Sequence, residues 1–136
     1  MAVFLDTSFI LAMKYEDDRN HEVAQSLMRR FLKHEFGRIY TSTFVFDELV
    51  TLILTRLKNK TVAIEIGKEL IKSPRVSVIG LSYQNFLETW NTFLKYADKR
   101  LSFTDCSILV TCKSINCNYV ATFDAHFKGL IGTNLK

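Results

Sequence analysis

Two aspartates follow apolar segments of this 136-residue sequence at the point where each segment ends. Residues 3–5 lack polar alternation and predict a strand buried on both faces, and Asp6 follows them directly. Residues 119–123 predict another strand, which ends in Asp124. Because the carboxyl ends of parallel strands share one edge of a sheet, where open α/β sheets bind their ligands, we expect both carboxylates to lie there.

Two further acids are predicted to lie near the same edge. Asp105 lies in the first turn of a helix that starts after Ser102, where free N–H groups and the helix dipole favour a carboxylate. Glu48 lies on the second turn of an apolar helix, with Asp47 beside it and turned about 100° away. Clustered carboxylates repel one another and are tolerated when a cation neutralises them.

Oxygen ligands without His or Cys select Mg²⁺ or Mn²⁺ over Zn²⁺. A metal ion held by Asp and Glu can lower the pKa of a bound water and clamp phosphate oxygens during in-line attack. The four acids therefore indicate metal-assisted phosphodiester hydrolysis. Scattered acids are also common as helix caps and surface charges, and the spacing alone leaves both interpretations open.

The segments between these acids alternate between short strands and helices. Strands are predicted at residues 3–5, 38–41, 76–79 and 119–123, and helices at residues 9–12, 44–57 and 82–96 and after the caps Asn20, Thr61 and Ser102. This order predicts one α/β domain over residues 1–136, a three-layer sandwich with a mainly parallel sheet of four to five strands. Leu130 and Ile131 are the sole candidates for a fifth strand.

Two predicted helices carry large apolar faces. Residues 44–57 are apolar nearly all round, which is typical of a central helix or of one shared with a second chain, and in so small a domain we expect a homodimer. Residues 82–96 carry an aromatic stripe with the spacing of one helix face, which we expect to lie in the core rather than to stack on bases: Tyr83, Phe86, Leu87, Trp90, Phe93 and Leu94.

Composition narrows the class of protein. Hydrophobic residues make up 48% and charged residues 24%, and no apolar run approaches a membrane span or a signal peptide, so we expect a cytoplasmic protein with no membrane partner. The three cysteines contain no CxxC pair, which argues against zinc. If the four acids are set aside, the sequence has 18 Lys and Arg and 10 carboxylates, and this surplus of positive charge suits a polyanionic partner.

Four motifs give a more specific indication. They occur in the order and spacing of PIN domains: Leu5-Asp6-Thr7-Ser8, Phe46-Asp47-Glu48-Leu49, Leu101-Ser102-Phe103-Thr104-Asp105 and Ala121-Thr122-Phe123-Asp124. The chain resembles PIN domains over essentially its whole length, and more narrowly it resembles the toxin ribonucleases of VapBC toxin–antitoxin pairs.

The resemblance implies a function and a set of site residues. It implies a Mg²⁺- or Mn²⁺-dependent endoribonuclease in which metal-activated water cleaves RNA to leave 3′-hydroxyl and 5′-phosphate ends. It also implies a dimer and a small antitoxin partner, whose helix lies in a groove beside the acids. The metal ligands are implied at Asp6, Glu48, Asp105 and Asp124, with Thr7, Ser8 and Thr104 orienting the carboxylates or a metal-bound water.

Several basic residues are candidates for guiding the RNA backbone, although each is at least as well explained as a solvated surface residue: Lys14, Lys99, Arg100, Lys113, His126 and Lys128. Two alternative functions stay open, a PIN nuclease of RNA processing or quality control and a PIN-like scaffold that has lost its metal. The four intact acids argue against the scaffold. A phosphoryl-transfer domain with Asp6 as nucleophile would need a second acid two residues on, where this chain has Ser8.

Overall fold

A parallel sheet of four strands forms the centre of the structure, a computed structural model that describes residues 1–133. The strands are β1 (Ala2–Leu5), β2 (Arg38–Ser42), β3 (Val76–Ile79) and β4 (Tyr119–Ala121). The helices are α1 (Thr7–Lys14), α2 (His21–Leu32), α3 (Thr43–Thr55), α4 (Lys60–Lys72), α5 (Tyr83–Lys95) and α6 (Phe103–Ser114). Within the described residues, each helix is too short or too polar to span a bilayer.

The sheet has the order β3-β2-β1-β4, and each neighbouring pair is parallel. All four residues of β1 are buried, although alternate side chains point to opposite faces, so helices cover both faces of the sheet. The predicted α/β fold with a parallel sheet is therefore confirmed. β2 can start beside β1 because Gly37 has a φ of +79° and a Cβ at this position would overlap the carbonyl of Met1.

The core lies between the sheet and its helices, and its largest fully buried side chains include Phe4, Phe9, Phe31 and Phe127. The aromatic rings of Phe9 and Phe31 join α1 to α2, with their centroids 5.7 Å apart. The three cysteines, Cys106, Cys112 and Cys117, are buried and have free thiols, and they pack as small apolar residues do.

Some predicted boundaries are wrong. β4 ends at Ala121 rather than at Phe123, because the N–H of Phe123 bonds to the Ser8 hydroxyl (3.0 Å) instead of to a neighbouring strand. α1 starts at Thr7, two residues before its predicted start, and Asn59 rather than Thr61 caps α4.

The predicted fifth strand is reduced to one bridge in the part of the chain that the structure describes. Leu130 and Ile131 precede that bridge, which joins Gly132 to Tyr119 in the parallel direction. Gly132 accepts a hydrogen bond from the N–H of Val120 at 2.9 Å. Residues 134–136 lie outside the described part of the chain.

The aromatic stripe of α5 is not in the core, which corrects the prediction. α5 packs on α6 through the side that carries the buried Thr89, whereas Tyr83 is 74% exposed and Trp90 47% exposed. Two members of the predicted stripe, Phe86 and Phe93, contact Phe103 at the start of α6, with ring centroids 5.7 and 6.0 Å from its ring. The apolar spacing is that of one helix face, but it does not tell whether that face is covered. The exposed part of the face, called the α5 stripe below, consists of Tyr83, Leu87, Trp90 and Leu94, and nothing within residues 1–133 covers it.

Candidate active site

The carboxyl ends of β1 and β4 meet at the topological switch point of the sheet. The chain passes from β1 to β2 and β3 on one side, and then crosses back to place β4 on the other side of β1. Open α/β sheets bind ligands at such a point. Asp6 directly follows β1, while Asp124 follows β4 after two further residues, Thr122 and Phe123. The sheet order thus brings together residues that lie at opposite ends of the sequence.

Asp6 is both a helix cap and a buried acid of this site. It caps α1, because its Oδ1 accepts a hydrogen bond from the N–H of Thr7 at 2.7 Å. Its Oδ2 accepts from the hydroxyl of Thr122 at 2.7 Å, and the residue is only 2% exposed. Burial raises the pKa of Asp6 to about 7; these two hydrogen bonds oppose the rise, and the charges of Asp124 and Asp105 add to it.

Hydroxyl groups connect the end of β4 to Asp6. The Thr122 hydroxyl has one proton, which it donates to Asp6, so at the 3.1 Å contact with Ser8 the Ser8 hydroxyl is the donor. Ser8 accepts from the N–H of Phe123 at 3.0 Å, and Thr122 accepts from the N–H of Asp124, also at 3.0 Å. These bonds fix the backbone that carries Asp124 against the carboxylate of Asp6.

Glu48 is held by the first turn of α1. The hydroxyl of Thr7 donates to Oε1 of Glu48 at 2.7 Å, which ties α1 to α3. α3 starts at the same edge of the sheet because Ser42, the last residue of β2, is its N-cap. The neighbouring Asp47 is exposed and accepts a weak hydrogen bond from Thr51 on its own helix, at 3.4 Å.

Asp105 belongs to a capping box at the start of α6. Its N–H donates to the hydroxyl of Ser102, and its Oδ2 accepts from the N–H of Ser102, both at 3.0 Å. The same Oδ2 lies 3.2 Å from Nδ1 of His126, in the 3₁₀ turn Ala125–Phe127 that follows Asp124. Asp105 is 7% exposed, so its carboxylate is almost fully removed from solvent.

The donor set and the charge of the site fit a hard divalent cation. The four acids are oxygen donors, and within residues 1–133 no Lys or Arg forms an ion pair with any of them. Asp6 is buried and within the electrostatic reach of two other carboxylates, which is the situation a cation relieves. In the same described residues no three acids, His or Cys form a preassembled metal cluster. Thr7, Ser102 and Thr122 each hydrogen-bond one of the carboxylates separately.

Only some of the other predicted residues contact the acids. The Thr7 and Ser8 hydroxyls contact the site as described, whereas the Thr104 hydroxyl makes no hydrogen bond within residues 1–133. Among the candidate RNA contacts, His126 touches Asp105, and Lys128 lines a surface pocket of about 430 Å³ together with Asp124.

The remaining basic candidates lie in three different parts of the fold. Lys99 and Arg100 lie just before the start of α6, on the side of the acids. Lys14 is paired with Glu65 and Glu69 of α4 at 3.7 and 3.4 Å. Lys113 lies in the last turn of α6, at the opposite end of the helix from Asp105.

Thr122 is a site residue to which the sequence alone assigned no role. Its hydroxyl bonds Asp6 across a separation of 116 residues and also accepts from the N–H of Asp124. Its position in the motif Ala121-Thr122-Phe123-Asp124 was the one signal in the sequence that could have indicated this role.

Comparisons with known proteins agree with this architecture. A family model described as PIN domain matches residues 3–130. A solved structure of VapC20 from Mycobacterium tuberculosis, described as a toxin that cleaves the sarcin-ricin loop, superposes with a TM-score of 0.81 at 22% identity over 97% of this chain and 98% of that chain.

Two further solved structures are similar. VapBC2 from Rickettsia felis, bound to a DNA fragment from their promoter, gives a TM-score of 0.67 at 18% identity over 94% of this chain and 92% of that chain. FitAcB from Neisseria gonorrhoeae gives a TM-score of 0.63 at 18% identity, over 91% of this chain and 88% of that chain. No curated protein sequence matches the chain. At these identities the structural likeness establishes the fold.

Proposed function

The chain belongs to the PIN domain family, and on this basis we propose that it is a Mg²⁺- or Mn²⁺-dependent endoribonuclease. The observation that carries the proposal is the buried carboxylate of Asp6, which lies at the ligand-binding edge of the sheet within reach of the charges of Asp105 and Asp124 and has no Lys or Arg partner among residues 1–133. The sarcin-ricin loop is RNA, so the description of the similar VapC20 supports RNA as the substrate class.

One set of residues would bind the metal ion, and a second set fixes the orientation of those ligands. Asp6, Glu48, Asp105 and Asp124 would hold the ion. When bound, a divalent metal activates water and neutralises charge on the phosphodiester. Thr122 directs its proton to Asp6, so that carboxylate keeps one orientation without a positively charged partner. Thr7 does the same for Glu48.

A pair of neighbouring acids on α3 provides the test. Glu48→Gln removes one proposed ligand, and we expect it to lower Mn²⁺-dependent cleavage of RNA by at least about tenfold to 100-fold, as loss of a metal-site contact does. Asp47→Asn removes the same charge one position away, where the side chain is exposed, and is expected to leave cleavage unchanged. Equal activities of the two variants would refute the assignment of Glu48.

We further propose that the protein is the toxin of a toxin–antitoxin pair acting in the cytoplasm. Two of the similar structures are named for VapC and VapBC, and VapC20 is described as a toxin. Expression of the protein is expected to arrest growth, and Asp105→Asn to relieve the arrest. Growth arrest of equal strength by that variant would contradict a toxic activity at this site.

A small antitoxin is the proposed protein partner. An apolar groove of about 340 Å³ runs between α3 and α4, starting on α3 near the turn that carries Glu48, and it suits the apolar face of a helix. Its apolar lining consists of Val50, Leu54, Ala63 and Ile64. A short open reading frame beside the gene should encode this partner, and its co-expression should yield a complex and relieve the growth arrest.

A homodimer is the second proposed assembly. The sequence favoured an interface on residues 44–57, but most apolar side chains of α3 are buried or half-buried, and the exposed apolar residues are Leu54 and, just after the helix, Leu57. The stripe on α5 is larger and includes Tyr83 and Trp90, which are residue types typical of the cores of protein interfaces. We therefore assign the dimer interface to the α5 stripe.

A further inference from the structure

A basic pocket lies at the edge of the sheet opposite to the four acids, where β2 and β3 begin. It has a volume of about 420 Å³ and is lined by His34, Gly37, Arg38, Ile39, Pro74, Arg75 and Ser77. The lining contains two arginines and one histidine, and none of these seven residues is acidic. The pocket is therefore a concave surface with a concentrated positive charge.

The sheet register places the two arginines side by side. Ile39 pairs with Val76 in the parallel ladder between β2 and β3, so the preceding residues, Arg38 and Arg75, lie next to each other at the strand starts. Like charges in neighbouring positions of a sheet destabilise it. An anion bound between two guanidinium groups would remove this repulsion, because a guanidinium matches the oxygens of phosphate in pairs.

The surroundings of the arginines do not supply that anion. The guanidinium of Arg38 forms no hydrogen bond or ion pair with residues 1–133. Arg75 donates through Nη2 to the carbonyl of Leu32, and the same Nη2 lies 3.1 Å from Nε2 of His34; neither partner is an anion. The nearby Glu35 is paired with Arg30 at 2.7 Å. These contacts orient Arg75 and leave its charge uncompensated.

We propose that the basic pocket binds a phosphate of the RNA backbone at a distance from the cleaved bond. The inference rests on the proposed ribonuclease function and extends it to the class of substrate. β2 runs from Arg38 in the pocket to Ser42, the cap of the helix that carries Glu48. From the first to the last of these five residues the strand spans about 13 Å, at roughly 3.3 Å per residue. An RNA that reaches both ends must extend past the cleaved bond by more than this distance, so we expect the pocket to contact long or folded RNA and not an oligonucleotide that contains only the cleavage site.

The test measures RNA binding in the Asp6→Asn background, in which cleavage does not interfere. Arg38→Gln/Arg75→Gln is expected to weaken binding of a folded RNA about tenfold and to reduce the slope of log affinity against log salt by about 2. Binding of a short oligonucleotide that contains only the cleavage site is expected to stay unchanged. The matched control is Arg56→Gln/Lys68→Gln, which removes the same charge outside the pocket. Equal loss of affinity in the two double variants would overturn the proposal.

Inorganic phosphate tests the pocket without RNA. In ¹⁵N-labelled protein, millimolar phosphate is expected to shift the amide signals of residues 37–39 and 75–77, and Arg38→Gln/Arg75→Gln is expected to abolish the shifts. Circular dichroism checks that the double variant is folded. No shift in the wild-type protein, or shifts without any loss of RNA affinity in the double variant, would overturn the inference. Neither readout needs cleavage, so a failure of the metal-dependent reaction would be seen separately.

Discussion

The buried carboxylate of Asp6 makes a quantitative prediction about stability and pH. Burial raises the pKa of Asp6 from an ordinary 3.8 to about 7, so between these two pH values the folded protein keeps a proton that the unfolded chain releases. The free energy of unfolding of the metal-free protein should therefore fall as the pH rises through this window and become level above it. At about 1.36 kcal/mol per unit of pKa, the fall due to Asp6 is on the order of 4 kcal/mol.

The variant Asp6→Asn isolates this contribution because an amide does not ionise. The amide also changes the hydrogen bonds to Thr7 and Thr122, but that effect does not depend on pH. We expect the difference in unfolding free energy, variant minus wild type, to increase by about 4 kcal/mol between pH 4 and pH 8. The same substitution should abolish cleavage, so the side chain that is needed for activity is one that reduces the stability of the metal-free fold.

Urea denaturation in the presence of EDTA, followed by circular dichroism at several pH values, measures this difference. A difference that stays constant within about 1 kcal/mol would refute the description of Asp6 as a carboxylate whose charge is destabilised by burial. Mn²⁺ added at pH 8 should then stabilise the wild-type protein and have a much smaller effect on the variant, since a ligand stabilises the state that binds it.

Three further predictions concern the residues around the site and the α5 stripe. Thr122→Val should lower the rate of RNA cleavage about tenfold to 100-fold, while Thr122→Ser keeps most of it; equal rates would show that the hydroxyl is not needed. Ser102→Ala should lower the free energy of unfolding by about 1 kcal/mol in urea titrations, because the α6 capping box is lost, and no change would contradict that box. Leu87→Glu should convert the dimer to a monomer in light scattering, with Asn91→Glu on the polar face of α5 as its control; a wild-type monomer at micromolar concentration would rule out the dimer.

Local sequence patterns were sufficient to predict the sheet and its acidic edge. Residues 3–5 are apolar without alternation because a central parallel strand is covered on both sides, and this is a local property of the sequence. The caps Ser42 and Ser102 are local as well, since each bonds a backbone N–H three residues away. These local features are enough to place Asp6, Glu48 and Asp105 at one edge of the sheet.

Features that depend on contacts between distant segments could not be predicted. β4 ends at Ala121, earlier than predicted, because the N–H groups of Phe123 and Asp124 bond to the hydroxyls of Ser8 and Thr122 instead of to a strand. No periodicity in the sequence indicates such bonds. The aromatic stripe of α5 has the spacing of a core face, but spacing does not tell whether the covering surface belongs to the same chain. Arg38 and Arg75 meet only through the register of two strands.

The proposed function depends above all on the four acids forming a metal-dependent centre for RNA cleavage. This is tested by the rate at which protein stripped with EDTA cleaves a labelled RNA, before and after Mn²⁺ is added in excess, for the wild type and for Asp124→Asn. We predict no cleavage by the stripped protein, recovery with Mn²⁺ in the wild type alone, and products with 5′-phosphate ends. Cleavage that persists in excess EDTA, or full activity of the variant, would contradict the assignment.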